Sequence, residues 1–193
     1  MRDVTLGAPD ALQPQTYATL LALLAATGLR ISEALALKFA DITPEGLLIR
    51  KTKFRKSRLV PLHDSAVAGL ERYLRRRRQI PLPDDHLFVT DQGQPLPYWA
   101  VHQMFQTLLK EAGLWRASRD HRPRLHDFRH SFAVRALEAC SPGRANISRH
   151  MLGLATYLGH ANVLDTYWYL QATPQLLSSV ATAGETFLFG ESP

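Results

Sequence analysis

The sequence predicts a mainly α-helical fold with a small antiparallel β-sheet, an α+β arrangement in one domain. Three observations lead to this prediction. Several segments carry apolar residues at helical spacing. Two short β-prone runs, "LLIR" and "RLVPL", are separated by a basic connector and preceded by the turn "TPEG". The 193 residues contain no internal repeat or low-complexity tract and suffice for a single sizeable core.

The N-terminal part predicts two helices separated by a glycine. The first covers residues 14–27, where apolar side chains recur at i, i+3, i+4 and i+7: Tyr17, Leu20, Leu21, Leu24 and Ala25. The segment "TGLR" interrupts this pattern at Gly28. "ISEALALK" then forms the body of a second helix, with Ser32 or Thr27 as its cap.

A hairpin or small sheet follows, with "LLIR" and "RLVPL" as its strands. The segment "DSAVAGLERYLRRRRQI" predicts a helix that starts at Asp64 and is ended by "PLPDD". "HLFVT" is another strand candidate, because its β-branched and aromatic residues precede the turn-rich "DQGQPLP".

The C-terminal half predicts helices around one basic loop at residues 113–125. "CSPGRAN" separates the second and third of these helices, which cover residues 98–112, 126–139, 147–158, 162–170 and 174–182. We therefore expect one domain over residues 1–193, with a core at about 12–182 and a tail at 183–193.

Composition restricts the class of protein. The apolar runs are shorter than the roughly 18 residues of a membrane span, and "MRDVTLGAPDAL" lacks the pattern of a signal peptide. The single cysteine, Cys140, permits no internal disulfide and fits a reducing compartment, with inert burial as its expected role. We expect a cytoplasmic protein without membrane contact.

Positive charge is concentrated in three stretches. The formal net charge is +6, and basic residues number six of ten in "IRKTKFRKSR" and five of eight in "RYLRRRRQ". A third stretch, "RASRDHRPRLHDFRH", interleaves five arginines with three histidines. A generic basic surface would account for the net charge alone, but clusters with few acidic residues favour a nucleic-acid partner.

The segment "LHDFRHSFA" is the first candidate for chemistry. His126 and Arg129 are three residues apart and share a helix face, with His130 beside them. A solvated helix edge is one alternative, and a metal site formed with His121 is another. Guanidinium groups crowd this region, which disfavours a metal. A histidine and an arginine on one face are well suited to clamp a phosphate group.

Three further motifs accompany this pair. "ATGLRISEALALK" places Arg30 at a loop-to-helix junction, where an anion is favoured. "KTKFRKSRLVPL" places a lysine-bearing turn between strands, and "YLGH" places His160 after a glycine. Tyr167 and Tyr169 point to nearly opposite sides of a helix, so that only one is expected in the core. Helical geometry alone does not choose between them.

In this order, the motifs resemble the catalytic domain of the tyrosine recombinase (phage integrase) family over about residues 12–182. "TGLRISEALAL" is similar to the box of the first catalytic arginine, Arg30, and the hairpin lysine aligns with Lys53. "LHDFRHSFA" supplies His126 and Arg129, with His130 alongside. The box "LGH" supplies His160, and the family's spacing from that histidine makes Tyr169 the nucleophile.

The resemblance implies a metal-independent reaction without a cofactor. The Tyr169 hydroxyl would attack a DNA phosphodiester, forming a 3′-phosphotyrosine and a free 5′-hydroxyl. Arg30, Arg129 and a histidine would stabilise the negative transition state. Lys53 would protonate the leaving oxygen, and His126 would help to move the tyrosine proton.

The expected partners are double-stranded DNA and other recombinase protomers assembled on it. The residues expected to bind DNA are Arg50, Lys51, Arg55, Lys56, Arg58, Arg122 and Arg124. We expect a bacterial cytoplasmic protein, nucleoid-associated when bound to DNA. The N-terminal DNA-clamping domain usual in the family is expected to be absent, since Arg30 comes so early.

Two alternatives to site-specific recombination, integration or transposition stay open. One is a type IB-like topoisomerase, which would use the same residues to relax supercoils without pairing two sites. The other is a non-cutting DNA-binding accessory protein of a mobile element, whose signature would be the loss of a motif residue.

Overall fold

The computed structural model describes residues 12–50, 57–79, 85–115, 122–139, 144–160, 162 and 164–167. Within these ranges the chain is mostly helical, with one three-stranded sheet. In chain order the elements are α1 Leu12–Thr27, α2 Ile31–Leu35, a 3-10 turn Phe39–Asp41, β1 Ile42–Thr43, β2 Gly46–Ile49, β3 Arg58–Val60, α3 Asp64–Arg77, α4 Tyr98–Glu111, α5 Asp127–Glu138, α6 Arg144–Leu158 and α7 Leu164–Tyr167.

Helix α1 lies at the centre of the domain and packs against both α3 and α5. Its buried side chains recur every three or four residues, as expected of a helix that faces a core: Leu12, Thr16, Leu20, Leu23, Leu24 and Thr27. The predicted helix is confirmed and begins two residues earlier than expected. Its contact with α5 places the end of α1 beside the histidine–arginine motif.

The break between α1 and α2 occurs at Gly28, as predicted. Its φ of +61° lies in the left-handed region, and a Cβ there would stand 2.6 Å from Cδ1 of Phe132, so that glycine is required. The predicted cap is wrong, because Arg30 is the N-cap residue of α2. The Glu33 carboxylate accepts the Arg30 backbone N–H at 3.0 Å, while the Thr27 hydroxyl donates back to the Leu23 carbonyl.

The small sheet is antiparallel in the order β1-β2-β3. The predicted strands are confirmed as β2 and β3, with Leu47 opposite Val60 in the register. The residues before them form a third strand, β1, which pairs with β2 across the predicted turn. Leu47, Ile49 and Val60 are buried and attach the sheet to the main core.

The strand predicted at "HLFVT" is not formed. His86 and Val89 make only isolated bridges, to Lys38 and Pro95. Leu87, Phe88 and Val89 are all buried, whereas a strand alternates its side chains between two faces. The Leu96 and Thr90 backbone N–H groups donate to the Phe88 and Gln94 carbonyls around one bridge, and the pairing does not extend into a strand.

The C-terminal helices enclose a second, smaller core between α5 and α6. Its buried members are Ala133, Leu137, Met151, Leu154 and Leu158. Helices α4 and α5 are confirmed, and α6 begins at Arg144, within the segment predicted to be a linker. The predicted helix at 174–182, Cys140 and the tail at 183–193 lie outside the described residues.

The predicted fold class, mainly α with a small antiparallel sheet, is confirmed. None of the helices in the described part of the chain combines the length and the hydropathy of a membrane span.

Candidate active site

Arg129 connects three of the sequence motifs. It lies on α5 and is buried, with 2% of its surface exposed. Nη1 donates to the Gly28 carbonyl at 2.9 Å, and Nη2 donates to the Leu158 carbonyl at 2.8 Å. Gly28 is two residues before Arg30, and Leu158 is two residues before His160. One guanidinium group therefore brings the "TGLR", "HDFRH" and "LGH" motifs together.

Arg30 stands at the junction between the α1–α2 break and α2. Its side chain is 34% exposed, and Nη1 lies 3.0 Å from Oε1 of Glu33. Because Glu33 is nearly buried, it holds the guanidinium group from one side and leaves the other side toward solvent. Arg30 thus places a partly exposed positive charge beside the buried charge of Arg129.

His160 follows a tight turn at the end of α6. Gly159 has a φ of +69°, and the His160 N–H donates to the Ala155 carbonyl at 3.0 Å. Nδ1 of His160 lies 2.7 Å from Oγ1 of Thr166, a fully buried residue of α7. Burial lowers the pKa of His160 to about 4, with further contributions from the charges of Arg129 and Arg30. The imidazole is therefore neutral at pH 7.

His126 is the N-cap residue of α5, and its carbonyl accepts the Arg129 and His130 backbone N–H groups. Its side chain is largely exposed, whereas His130 is half-buried. Partial desolvation lowers the pKa of His126, and the Arg129 charge lowers it further. A neutral His126 at pH 7 has a ring nitrogen that can accept a proton.

The metal alternative obtains no support from the described part of the chain. There, no group of three histidine, cysteine or acidic side chains is arranged to hold an ion. His121, the third member of that alternative, lies outside the described residues.

The arginines predicted to contact DNA lie in different surroundings. Arg50 and Arg124 have side chains 55% and 75% exposed, and they pair with Asp41 and Asp127. Arg122 is half-buried, with its guanidinium group 4.2 Å from the centre of the Trp115 ring.

Arg58 lies away from the protein surface. Its side chain is only 11% exposed and forms an ion pair with Glu33. Its surroundings therefore differ from those of the exposed arginines with which the sequence grouped it.

Several predicted residues fall where the structure is not described. Lys51, Lys53, Arg55 and Lys56 belong to the segment 51–56, and Tyr169 follows the last described residue of α7. Tyr167 ends that helix. The lysine and the nucleophile therefore remain predictions from the family resemblance.

Two residues of the site were missed by sequence reasoning. Glu33 accepts hydrogen bonds from both Arg30 and Arg58, and Thr166 holds the His160 ring. Glu33 was detectable, because a glutamate three residues after the N-cap residue of a helix signals a capping interaction. Thr166 carried no such signal, since its contact depends on how α6 and α7 meet.

The arrangement is suited to stabilising an anion. Two arginines and two neutral histidines converge, and the charges of Arg129 and Arg30 both act on His126 and His160. Prearranged positive charge in a partly desolvated site stabilises a developing negative charge more strongly than water does. A phosphodiester in a pentavalent state matches this site.

The fold and these motifs together define a catalytic domain of the phage integrase type. The chain belongs to the Phage integrase family, whose match covers residues 6–175. The resemblance inferred from the motifs is thereby confirmed.

Relatives of known sequence include a putative integrase/recombinase of Sinorhizobium fredii, 43% identical over 171 residues, covering 86% of this chain and 54% of that protein. Tyrosine recombinase XerC of Shewanella amazonensis is 31% identical over 154 residues, covering 79% of this chain and 48% of its own length. The chain thus spans about half the length of these relatives.

Among solved structures, the XerH site-specific recombinase bound to a palindromic difH substrate in a post-cleavage complex has a TM-score of 0.69 and 28% identity. That match covers 91% of this chain and 47% of XerH. The XerA recombinase has the same fold, with a TM-score of 0.69 over 94% of this chain and 64% of its own.

Proposed function

We propose that the chain is the catalytic domain of a tyrosine-type recombinase that cleaves and rejoins double-stranded DNA through a 3′-phosphotyrosine. The observation that carries the proposal is the position of Arg129, which binds the backbone of both the Arg30 and the His160 motifs. This contact makes a single cationic site from segments far apart in the sequence.

The proposed reaction is a transesterification. The Tyr169 oxygen attacks the phosphorus, the bond to the 5′-oxygen breaks, and Lys53 supplies the proton to that oxygen. Arg30 and Arg129 stabilise the extra negative charge of the pentavalent state. His126, neutral at pH 7, assists the loss of the tyrosine proton. Because the phosphotyrosine conserves the ester bond, rejoining needs no nucleotide cofactor.

His160 acts in this scheme as a hydrogen-bond donor to the phosphate. Its Nδ1 lies 2.7 Å from Oγ1 of Thr166, and the donor to the phosphate in this scheme is Nε2. Since the pKa of His160 is depressed to about 4 by burial and then by the two arginines, a bound phosphate would raise it.

We infer that the domain comprises residues 1–193 with a core at about 12–182, and that it acts on DNA in the bacterial cytoplasm with other protomers. The bacterial recombinases among its relatives and the basic segments support this inference. The side chains of Arg50 and Arg124 are exposed, and we infer that they contact phosphates.

The test is formation of a covalent protein–DNA adduct. The 193-residue protein is incubated with a library of duplexes that carry a nick beside a randomised position, so that the released fragment diffuses away and the adduct accumulates. We expect adducts that survive denaturing electrophoresis, and sequencing of the bound DNA identifies the preferred site.

Two matched variants assign the nucleophile. Tyr169→Phe keeps the ring but removes the attacking oxygen, so adducts should disappear while DNA binding stays. Tyr167→Phe should still form adducts. Adducts from Tyr169→Phe and none from Tyr167→Phe would show that the register is wrong.

The same substrates separate the alternatives. An accessory protein would bind the library without any adduct. A topoisomerase would relax supercoiled plasmid with a single site, whereas a recombinase should exchange strands only when two sites are paired.

A further inference from the structure

Arg58 is more deeply buried than an arginine needs to be for contact with the DNA backbone. It is the first residue of β3, and its side chain is 11% exposed, while that of its partner Glu33 is 8% exposed. Two arginines that the sequence grouped with it, Arg50 and Arg124, have side chains that are 55% and 75% exposed. Arg58 presents its donors to the interior of the site.

All three guanidinium nitrogens of Arg58 have partners within the protein. Nη1 and Nη2 donate to the two carboxylate oxygens of Glu33 at 3.0 and 2.9 Å. Nε donates to the carbonyl of Tyr157 at 2.8 Å. The planar fork of arginine makes this combination of a bidentate pair and a third bond, which lysine cannot reproduce.

The guanidinium group also lies against the turn that precedes His160. A Cβ added to Gly159 would stand 2.7 Å from Nη1 and 2.9 Å from Cζ of Arg58. Gly159 therefore accommodates the close approach of Arg58 as well as the positive φ of the turn.

Glu33 connects Arg58 with the first arginine. Its Oε1 also accepts Nη1 of Arg30 at 3.0 Å, and its Oε2 accepts the Arg30 backbone N–H at 3.0 Å. Burial opposes ionisation, but the hydrogen bonds and charge of Arg58 hold the pKa of Glu33 below its ordinary value. The carboxylate is thus ionised and shared between the two arginines at neutral pH.

We propose that Arg58 is a positioning residue of the active site. Through Glu33 and the Tyr157 carbonyl, it holds the turn of Gly159 and His160 against the turn of Arg30, and it does not bind DNA. Its effect on cleavage rests on the proposed function, whereas its effect on the His160 turn does not.

The main test compares Arg58→Met with Arg135→Met. The first variant keeps the apolar stem but removes the three donors, and the second removes an exposed arginine of α5 outside the site. We expect Arg58→Met to slow single-turnover adduct formation at saturating DNA at least tenfold. The dissociation constant for DNA and the slope of its dependence on salt concentration should both stay within twofold of wild type. Arg135→Met should behave as wild type in all of these measurements.

A second measurement needs no catalysis. In protein labelled with isotopes in histidine, the ring resonance of His160 is assigned by its loss in His160→Asn and followed through a pH titration. Arg58→Met should move this resonance and raise the pKa of His160 above its wild-type value, because the turn loosens and a nearby positive charge is lost. Arg58→Lys should also move it, since the ammonium group cannot bind Glu33 and Tyr157 together.

Different outcomes separate the two roles. Weaker binding with a salt slope reduced by about one, and an unchanged rate at saturating DNA, would make Arg58 a phosphate ligand and overturn the proposal. An unchanged His160 titration in Arg58→Met would overturn it as well. If wild-type protein forms no adduct, the proposed function fails, but the His160 titration still decides on Arg58.

Folding of the variants is monitored by circular dichroism. If Arg58→Met does not fold, Arg58→Lys and Glu33→Gln take its place, since each weakens the bidentate pair and keeps the side-chain volume. Either of these folding with an unaltered His160 resonance would count against the proposal.

Discussion

Replacing Arg129 and Arg30 separately by alanine should separate stabilisation of the phosphate, which the sequence assigns to both arginines, from support of the fold, which the structure assigns to Arg129 alone. Each guanidinium group is proposed to stabilise the pentavalent phosphate, so each variant should lose at least a hundredfold in cleavage rate. Only Arg129 also connects the backbone of two motifs. We therefore expect Arg129→Ala to destabilise the fold and Arg30→Ala to leave it almost unchanged.

The magnitude follows from the contacts. Arg129 is 2% exposed and donates charge-assisted hydrogen bonds at 2.9 and 2.8 Å to the carbonyls of Gly28 and Leu158. Losing both bonds and leaving two buried acceptors without this donor should cost about 3 to 5 kcal/mol of unfolding free energy. A domain of this size then melts roughly 10 °C lower.

Arg30 differs because its side chain is 34% exposed and its partner Glu33 keeps the ion pair with Arg58. Its removal should cost less than about 1 kcal/mol.

The assay combines urea denaturation, followed by circular dichroism, with single-turnover adduct formation at a temperature well below both melting points. Arg129→Lys is a useful third variant, since an amine reaches only one of the two carbonyls and should recover part of the stability. Equal loss of stability in Arg30→Ala and Arg129→Ala, or no loss in either, would refute the reasoning about the buried guanidinium group.

Further predictions concern acid, the first glycine turn and divalent ions. The pKa of His160 is lower in the folded than in the unfolded chain, so the contribution of His160 to stability is full above about pH 6.5 and should be lost as the pH drops toward about 4. Urea denaturation midpoints measured across this pH range test this prediction, and His160→Asn should make the loss of stability with falling pH smaller. Gly28→Ala should lower the free energy of unfolding by at least about 1 kcal/mol, because residue 28 has a φ of +61° and the alanine Cβ would overlap Phe132. A variant that melts at the wild-type temperature would contradict this prediction. Adduct formation should persist in EDTA, since arginine side chains supply the positive charge, and recovery by magnesium of an activity lost in EDTA would refute the metal-free mechanism.

Local patterns were enough to predict much of this molecule. The apolar period located α1, α3, α4 and α5, and the spacing of His126 and Arg129 correctly placed them on adjoining turns at the start of one helix. Gly28 was identified as the break because its positive φ is a local property of the turn, whereas its contact with Phe132 is not. These features depend on residues close in the sequence, so they can be read without tertiary contacts.

The remaining features depend on distant parts of the chain. Arg58 belongs to a basic run that predicts a solvated, DNA-facing stretch, yet its partners Glu33 and Tyr157 lie 25 and 99 residues away. The segment "HLFVT" has the composition of a strand, but Leu87, Phe88 and Val89 are all buried by other elements, and its backbone pairs with Lys38 and Pro95 only through isolated bridges. Neither property is visible in a window of ten residues.

The convergence of Arg30 and Arg129 on two histidines has a thermodynamic consequence. Both arginines lower the pKa values of His126 and His160, so the site itself opposes the addition of positive charge. A bound oxyanion would compensate the positive charges of Arg30 and Arg129. Any ligand that binds only the folded state adds to the stability of that state. In the proposed reaction, substrate and fold are therefore linked: a DNA phosphate would act as a counter-ion to both arginines, and the domain would be at its most stable when it holds the bond that it is proposed to break.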